Sequence, residues 1–178
     1  NIPEGTKDSK GRAIQNLLNI EPDDGLNAIL RLRGLDDEEF VNSHNVVFAT
    51  KNGTIKKTSL EAYSRPRANG VFAINIAEGD EVVDVRLTNG KNEIIMANKN
   101  GRAVRFNEET VRAMGRTATG VRGMKLDGDD DQVVGMIVVN DAETENVMVV
   151  SETGYGKRSS VEDYRVTNRG GKGVKTLN

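Results

Sequence analysis

A unit of about 50 residues repeats along the chain, and this repeat restricts the possible folds more than any other feature of the sequence. Each complete unit opens on a glycine: Gly53, Gly101 and Gly154. A basic residue follows four positions later: Lys57, Arg105 and Arg158. A glutamate follows eight positions after the glycine: Glu61, Glu109 and Glu162. Each unit closes on another glycine: Gly70, Gly120 and Gly173. Gly11 has the place of the closing glycine of an earlier, truncated unit.

The repeated unit contains the pattern of a β-hairpin. Short runs rich in β-branched residues precede the opening glycines, at 45–50, 93–98 and 146–151. Lys-Asn-Gly in the first two units and Glu-Thr-Gly in the third are turn sequences, and Asn-Gly is a strong hairpin signal because both turn residues accept a positive φ. The second hairpin strands are predicted at 54–58, 102–106 and 155–159.

Two further strands are predicted in each unit, after a helical turn with capping-box spacing (Thr58/Glu61, Ser159/Glu162) or a polar loop. They lie at 71–76 and 82–87, at 121–126 and 133–139, and in the truncated unit at 13–20 and 26–32. Four strands per unit predict an all-β, propeller-type array of four-stranded blades, about three of them plus a fragment. The units are residues 1–40, 41–90, 91–140 and 141–178 of one domain, with 33–45 as an inter-blade connection. Closed propellers have roughly 4–8 blades, so an open part of a ring is expected.

Composition excludes several chemistries. The chain has no Cys and one His, His44, which excludes disulfides, thiolate zinc sites, multi-histidine metal cages and cysteine nucleophiles. The acidic run 127–131 lacks the glycine and glutamate of a helix-loop-helix calcium site and predicts a solvated turn. The sequence at 154–159 lacks the spacing of a phosphate-binding loop. Carboxylate pairs for glycoside hydrolysis stay open in principle. No apolar run approaches the length of a membrane span, secretion is not expected, and a first residue other than Met predicts a piece of a longer protein.

The net charge of -2 conceals alternating basic and acidic blocks. Counted from the sequence, the blocks 51–70, 71–85, 97–125, 126–146 and 154–178 carry net charges of +4, -4, +5, -7 and +4. Such segregation indicates that the fold gathers one sign of charge on one side.

The basic residues of successive units are predicted to form a curved positive surface, because equivalent positions of successive blades fall on the same edge. Arg beside Gly, Ser, Thr and Asn is a mixture suited to phosphate. With four Phe, three Tyr and no Trp, stacking on single strands is poorly supported, which favours duplex DNA. The predicted DNA-binding residues are Lys56, Lys57, Arg65, Arg67, Arg102, Arg105, Arg112, Arg116, Arg122, Lys157, Arg158, Arg165, Arg169, Gly170, Gly171 and Lys172, with Lys175 completing the basic series.

The segments NGTIKKTSLEAYSR, NGRAVRFNEETVRAMGRTATGVRGM and TGYGKRSSVEDY resemble the C-terminal domain of the DNA gyrase A subunit, over essentially the whole chain. The resemblance implies a β-pinwheel, in which neighbouring blades exchange strands. It implies a non-catalytic domain that wraps duplex DNA with positive handedness and supports ATP-dependent negative supercoiling by the holoenzyme. The implied partners are duplex DNA, the remainder of the gyrase A subunit, and the gyrase B subunit, with no membrane. ATP and Mg²⁺ act elsewhere in the holoenzyme, no cofactor or metal is implied for this chain, and the implied location is the cytoplasm, on the chromosome.

The family's Gln-Arg-Arg-Gly-Gly-Lys-Gly box is expected upstream of this sequence, but Thr167–Gly173 matches its last five letters. The loop 168–173 is therefore predicted to be the strongest single DNA contact, either as a second box or as a degenerate rim contact. The three tyrosines occupy repeat positions and are not predicted to be the DNA-cleaving nucleophile. Two alternatives remain: the C-terminal domain of the topoisomerase IV A subunit, and a propeller-like protein-interaction scaffold.

Overall fold

The computed structural model describes residues 3–21, 24–67 and 69–177. All three predicted hairpins form, as antiparallel pairs. Their strands are β1 (Asn45–Thr50) and β2 (Thr54–Ser59), β4 (Glu93–Asn98) and β5 (Arg102–Asn107), and β8 (Asn146–Val150) and β9 (Gly156–Ser160). A 3-10 turn follows each hairpin, at Leu60–Tyr63, Glu108–Thr110 and Val161–Asp163. The predicted helical turns are confirmed, but their N-caps in the first and third units are Ser59 and Ser160, one residue later than the capping-box spacing indicated. In the second unit the N-cap is Asn107.

Each hairpin turn uses its glycine alone for the left-handed conformation. Gly53, Gly101 and Gly154 have φ of 87°, 71° and 86°, and no other residue type among the described residues has a positive φ. The expectation that Asn52 and Asn100 adopt positive φ is therefore wrong. Three residues separate the paired strands in the first two hairpins, and three-residue loops place a single left-handed residue, usually glycine, at their end. Five residues, 151–155, separate the strands of the third hairpin.

Two complete four-stranded blades result from strand exchange between units. The strands predicted at 82–87 and 133–139 form as β3 (Val82–Thr88), which pairs with β1, and β7 (Val133–Val139), which pairs with β4. The fourth strand of each blade comes from the following unit. β6 (Val121–Arg122) pairs with β2 of the unit before it, and β10 (Val174–Lys175) pairs with β5. The sheet orders are β3-β1-β2-β6 and β10-β5-β4-β7, and the β8-β9 hairpin is a two-stranded sheet.

Several other predicted strands do not form. The segments 13–20, 26–32 and 71–76 contain no strand, apart from a 3-10 turn at Ile14–Asn16, and 121–126 shortens to β6. A strand needs the edge of a neighbouring strand to satisfy its backbone groups. Among the described residues before Asn45 there is no hairpin that could supply such an edge. The connection 33–45 contains the helix α1 (Glu38–Ser43), whose N-cap Asp37 accepts hydrogen bonds from the amides of Glu39 and Phe40.

The apolar core lies between successive blades. One cluster joins the first two blades through Val47, Ile55, Ile94, Met96, Phe106 and Met136, among others. A second joins the second blade to the β8-β9 hairpin through Ile95, Val139, Val161 and Tyr164. A third packs α1 and Leu30, Leu32 and Leu35 on the first blade. None of the helices described is long and apolar enough to cross a membrane.

The recurring glycines mark the seams where strands cross between units. A β-carbon on Gly120 would lie 2.6 Å from the carbonyl oxygen of Ile55, and one on Gly173 would lie even closer to that of Ala103. Ile55 and Ala103 hold the same repeat position, two residues after the opening glycine. Gly120 and Gly173 are therefore required by the close approach of the exchanged strand to the preceding blade, whereas a β-carbon on Gly70, whose segment is not exchanged, would meet nothing within 4 Å.

Candidate nucleic-acid interface

The cation four positions after the opening glycine is buried in the first two units, where it fastens one blade to the next. The Nζ atom of Lys57 donates to the carbonyl oxygen of Glu108 at 2.8 Å and lies 3.6 Å from its carboxylate. The Nη1 atom of Arg105 donates to the carbonyl oxygens of Val161 and Tyr164, each at 3.0 Å. These acceptors belong to the 3-10 turn region of the following unit, so the same contact recurs at both seams.

Burial removes these two cations from any DNA-binding surface. Lys57 and Arg105 are each 7% exposed, and Arg105 also forms an ion pair with Glu93, with Nε 2.7 Å from Oε2. The prediction that Lys57 and Arg105 belong to an exposed positive surface is therefore wrong. Their recurrence reflects packing between blades. Arg158, the third member of the series, is exposed on β9, where no following unit is described.

Lys56 is also buried, although it was predicted to contact DNA. Its ammonium group donates to the carbonyl oxygens of Ala73 and Arg116, and it lies 5.4 Å from the centre of the Phe48 ring. Burial, reinforced by the charge of Arg116, lowers the pKa of Lys56 from 10.5 to about 8. The prediction for Lys56 is thus wrong, and its role is to tie two surface segments together from inside the fold.

The remaining predicted cations are at least partly accessible and lie mainly on the loops that follow the 3-10 turns. The exposed cations are Arg65, Arg67, Arg112, Arg122, Lys157, Arg158, Arg165, Lys172 and Lys175. The partly exposed cations are Arg102, Arg116 and Arg169. Arg112 and Arg165 have the same repeat position, eleven residues after the opening glycine. The loops therefore present cations at matching places on successive units.

One surface depression of about 460 Å³ brings together the loops of the first two complete units. Arg67, Asn69 and Phe72 of the first loop and Arg116 and Thr117 of the second line it. The backbone there is anchored, because the amide of Asn75 donates to the carbonyl oxygen of Ala118 at 3.2 Å. The depression combines two guanidinium groups with polar side chains, a combination suited to a phosphate backbone.

The loop 168–173 is engaged with the preceding unit. Arg169 donates from Nε to the carbonyl oxygen of Thr110 at 2.9 Å and from Nη1 to that of Arg122 at 3.1 Å. The Nζ atom of Lys172 lies 2.7 Å from Oδ1 of Asp127. The hydrogen bond from Lys172, with its positive charge, lowers the pKa of the Asp127 carboxyl. The two cations of the box-like sequence thus already have partners within the chain.

The backbone of this loop also joins the seam. The amide of Gly170 donates to the carbonyl oxygen of Gly123 at 2.6 Å, and the carbonyl oxygen of Gly171 accepts from the amide of Lys125 at 2.9 Å. Gly170 has a φ of 81°. These bonds show that the two glycines serve the packing of one unit against the next, whatever further role the loop has.

The acidic blocks cap the hairpin turns. Oδ1 of Asp80 accepts from the amide of Asn52 at 2.9 Å, and Oδ1 of Asp131 accepts from that of Asn100 at 3.2 Å. Asp131 is 5% exposed, so the predicted solvated turn contains one buried carboxylate. Within the described part of the chain, no group of three or more His, Cys, Asp or Glu side chains is arranged to hold a metal ion.

Sequence reasoning missed two features of this part of the structure, one buried and one exposed. Glu108 is fully buried and accepts from the Thr88 hydroxyl at 2.7 Å and the Asn92 amide at 2.9 Å, besides pairing with Lys57. Phe72 is 82% exposed in the loop region. The sequence did carry one signal for a buried cation and its partner. Arg105 lies between the apolar residues Val104 and Phe106, and a cation within an apolar strand indicates burial.

Hairpin blades that receive their fourth strand from the following unit define a strand-exchanged, propeller-type domain. Residues 44–89, 92–140 and 145–178 match the family described as DNA gyrase C-terminal domain, beta-propeller. The chain belongs to this family of type IIA topoisomerase domains, as its resemblance indicated.

Relatives and solved structures agree with this assignment. The chain is 43% identical over 175 residues to the DNA gyrase A subunit of Staphylococcus epidermidis and 42% identical to that of Staphylococcus aureus, covering 98% of this chain. It spans about a fifth, 19%, of those curated relatives. A C-terminal domain structure of DNA topoisomerase IV superposes with a TM-score of 0.80 at 30% identity, covering 92% of this chain and 49% of that one. A DNA gyrase A C-terminal domain superposes at 0.79 with 26% identity, covering 93% and 53%.

Proposed function

We propose that this chain is part of the domain by which a gyrase-type enzyme binds and wraps duplex DNA. The observation that carries the proposal is the placement of exposed cations on the loop of each complete unit. The loops of the second and third units lead into β6 and β10, the strands exchanged between units, so these loops follow one another along the array. Arg67 and Arg116, from adjacent units, already line a single depression.

Contacts of this kind suit the DNA backbone. Guanidinium groups on glycine-containing loops form charge-assisted hydrogen bonds with phosphate oxygens, which carry no base identity. A curved array of such contacts favours a bent duplex over a straight one. The domain would thereby present a DNA segment to the rest of the enzyme, with little preference for sequence.

In this proposal the chain has no catalytic role. DNA cleavage, ATP hydrolysis and the Mg²⁺ they use belong to other parts of the gyrase holoenzyme. Tyr63 and Tyr164 make contacts within the fold. The Tyr63 hydroxyl donates to the carbonyl oxygen of Ala73 at 2.8 Å, and the Tyr164 hydroxyl forms a hydrogen bond with the Thr176 hydroxyl. The site of action is the bacterial chromosome in the cytoplasm.

A linking-number assay tests the proposal. A nicked plasmid is ligated in the presence of increasing amounts of the chain, and the topoisomers are then resolved on a gel. Wrapping with positive handedness predicts a shift to positive linking-number difference that grows with protein. An unchanged topoisomer distribution, at a salt concentration where the chain binds duplex, would contradict wrapping.

Topoisomerase IV gives a second candidate, because its C-terminal domain structure superposes as well as that of gyrase. The identities of 42–43% with gyrase A subunits favour the gyrase assignment. The same assay separates the two: bending without a linking-number shift would favour the topoisomerase IV type. A protein-interaction scaffold predicts no duplex binding at low salt.

A further inference from the structure

Phe72 replaces a cation that the other units carry. It stands two residues after the closing glycine Gly70, where the following units have Arg122 after Gly120 and Lys175 after Gly173. An exposed aromatic side chain therefore occupies a repeat position that elsewhere holds a positive charge.

This position stays exposed when its strand is paired. Arg122 pairs with Thr54 and Lys175 pairs with Arg102, yet both side chains remain exposed. The 82% exposure of Phe72 is therefore a property of the repeat position. Pairing of the segment with another strand would leave the ring at the surface.

The surroundings of Phe72 are basic, and the backbone next to it is fixed by hydrogen bonds. Arg67 and Arg116 line the same depression as the ring. The carbonyl oxygen of the next residue, Ala73, accepts hydrogen bonds from Lys56 and Tyr63, and Lys56 also binds the carbonyl oxygen of Arg116. One buried lysine thus anchors both sides of the depression, so the ring is presented on a fixed support in a depression that two arginines also line.

We propose that Phe72 is an apolar wedge that enters the minor groove of bound duplex DNA and partly unstacks one base-pair step, while Arg67 and Arg116 hold the flanking phosphates. This inference rests on the proposed DNA-binding function. Proteins that bend DNA insert apolar side chains, Phe among them, between base steps and kink the duplex, at a cost of a few kcal/mol per step. Charge selects the ligand, because two cations in the same depression as the ring attract a polyanion with apolar groups between its phosphates.

The test compares binding to a matched 30-base-pair duplex with binding to one that carries a single central mismatch. A mismatched step is easier to unstack, so a wedge binds it more tightly, here by about tenfold, which corresponds to about 1.4 kcal/mol. Phe72→Ala is expected to remove this preference, and Phe72→Leu to keep most of it. Met148→Ala, which truncates another exposed apolar side chain away from the basic loops (72% exposed), is expected to keep all of it.

Phe72→Arg introduces the cation that the other units carry, and it distinguishes the effect of an apolar ring from the effect of charge. It is expected to lose the mismatch preference while steepening the salt dependence of binding by about 0.9 in the log–log slope. Duplex binding with equal mismatch preference in wild type and Phe72→Ala would overturn the wedge and leave the DNA-binding function intact. Absence of any duplex binding by the wild-type chain would overturn the proposed function itself.

Discussion

Arg105 donates a hydrogen bond to the carbonyl oxygen of Val161, 56 residues further along the chain, and thereby fastens the second blade to the third hairpin. Lys57 makes the corresponding bond to Glu108 one unit earlier. The cations four positions after the opening glycine are thus seam residues in the first two units. In the proposed function, the DNA-binding role falls instead to the cations on the loops that follow the 3-10 turns.

Replacing Arg105 is expected to destabilise the fold. Arg105→Ala leaves Glu93 and two carbonyl oxygens without their partner, and removing one member of a buried pair costs about 3 kcal/mol or more. Arg158→Ala, at the same repeat position but exposed, is the matched control and is expected to change the free energy of unfolding by less than about 0.5 kcal/mol. Urea denaturation measures both, and equal losses would contradict the seam role.

The closing glycines give a second stability test. Gly120→Ala places a methyl group 2.6 Å from the carbonyl oxygen of Ile55, on a backbone with φ of 114°. Gly79→Ala meets the same kind of conformation, φ of 74°, with nothing within 4 Å. We expect about 1–2 kcal/mol from the left-handed backbone alone at Gly79 and a clearly larger loss at Gly120. A loss at Gly120 no greater than that at Gly79 would show that close approach does not matter.

The lowered pKa of Lys56 predicts that the stability of the fold depends on pH. Its pKa is lowered from 10.5 to about 8 by burial and by Arg116, so between these pH values the unfolded chain binds more protons than the folded one. The free energy of unfolding of the wild type is therefore expected to rise relative to Lys56→Met as the pH increases from 8 to 10.5. The rise is at most about 3 kcal/mol, because solvent screens part of the interaction.

Denaturation curves at half-unit pH intervals measure this difference. Lys91→Met, at an exposed position, is the control and is expected to show no such pH-dependent difference from wild type. A wild-type advantage that falls with rising pH would mean that the ammonium form is favoured inside the fold.

The two basic loops are expected to differ in DNA binding. Arg65 and Arg67 are exposed, whereas Arg169 and Lys172 have partners in the preceding unit. The contacts thus reverse the ranking inferred from the box-like sequence. Arg65→Ala with Arg67→Ala is expected to weaken duplex binding more than Arg169→Ala with Lys172→Ala, measured by anisotropy at one salt concentration. A greater loss from the second pair would restore the box loop as the main contact.

Asp127 provides an independent check on that loop. Asp127→Asn weakens the partner of Lys172 and makes its ammonium group available to phosphate. The expected result is tighter duplex binding with a log–log salt slope steeper by about 0.9, while Asp129→Asn, in the same turn, changes affinity without steepening the slope. Identical salt slopes for the two variants would show that Lys172 does not reach DNA.

Local patterns predicted much of the fold because hairpins are local structures. The runs around Gly53, Gly101 and Gly154 predicted all three hairpins, and their periodicity predicted repeated blades. The exchange of strands between units was implied only by the family resemblance. The strand expected at 71–76 failed because such a segment becomes a strand only against the edge of another unit. Composition within the segment carries no information about whether that edge is present.

The site was predicted less well, for a reason visible at Lys57 and Arg105. Cations are usually exposed, so recurrence in register was interpreted as a surface feature. Strands β2 and β5 are buried on both faces, which gives them no polar side to reveal their orientation. A buried charge is tolerated at Lys57 and Arg105 because carbonyl groups of the next unit accept hydrogen bonds from it. Those carbonyl groups are distant in sequence and come close only in the folded chain.

The salt dependence of duplex affinity tests the central claim most directly. Arg112→Gln with Arg165→Gln removes two exposed loop cations at matching repeat positions, and Lys91→Gln with Lys99→Gln removes two exposed lysines outside those loops. The loop pair is expected to reduce the magnitude of the log–log slope by about 2, and the control pair to leave it unchanged. Equal slopes for the two double variants would contradict the assignment of DNA binding to the loops.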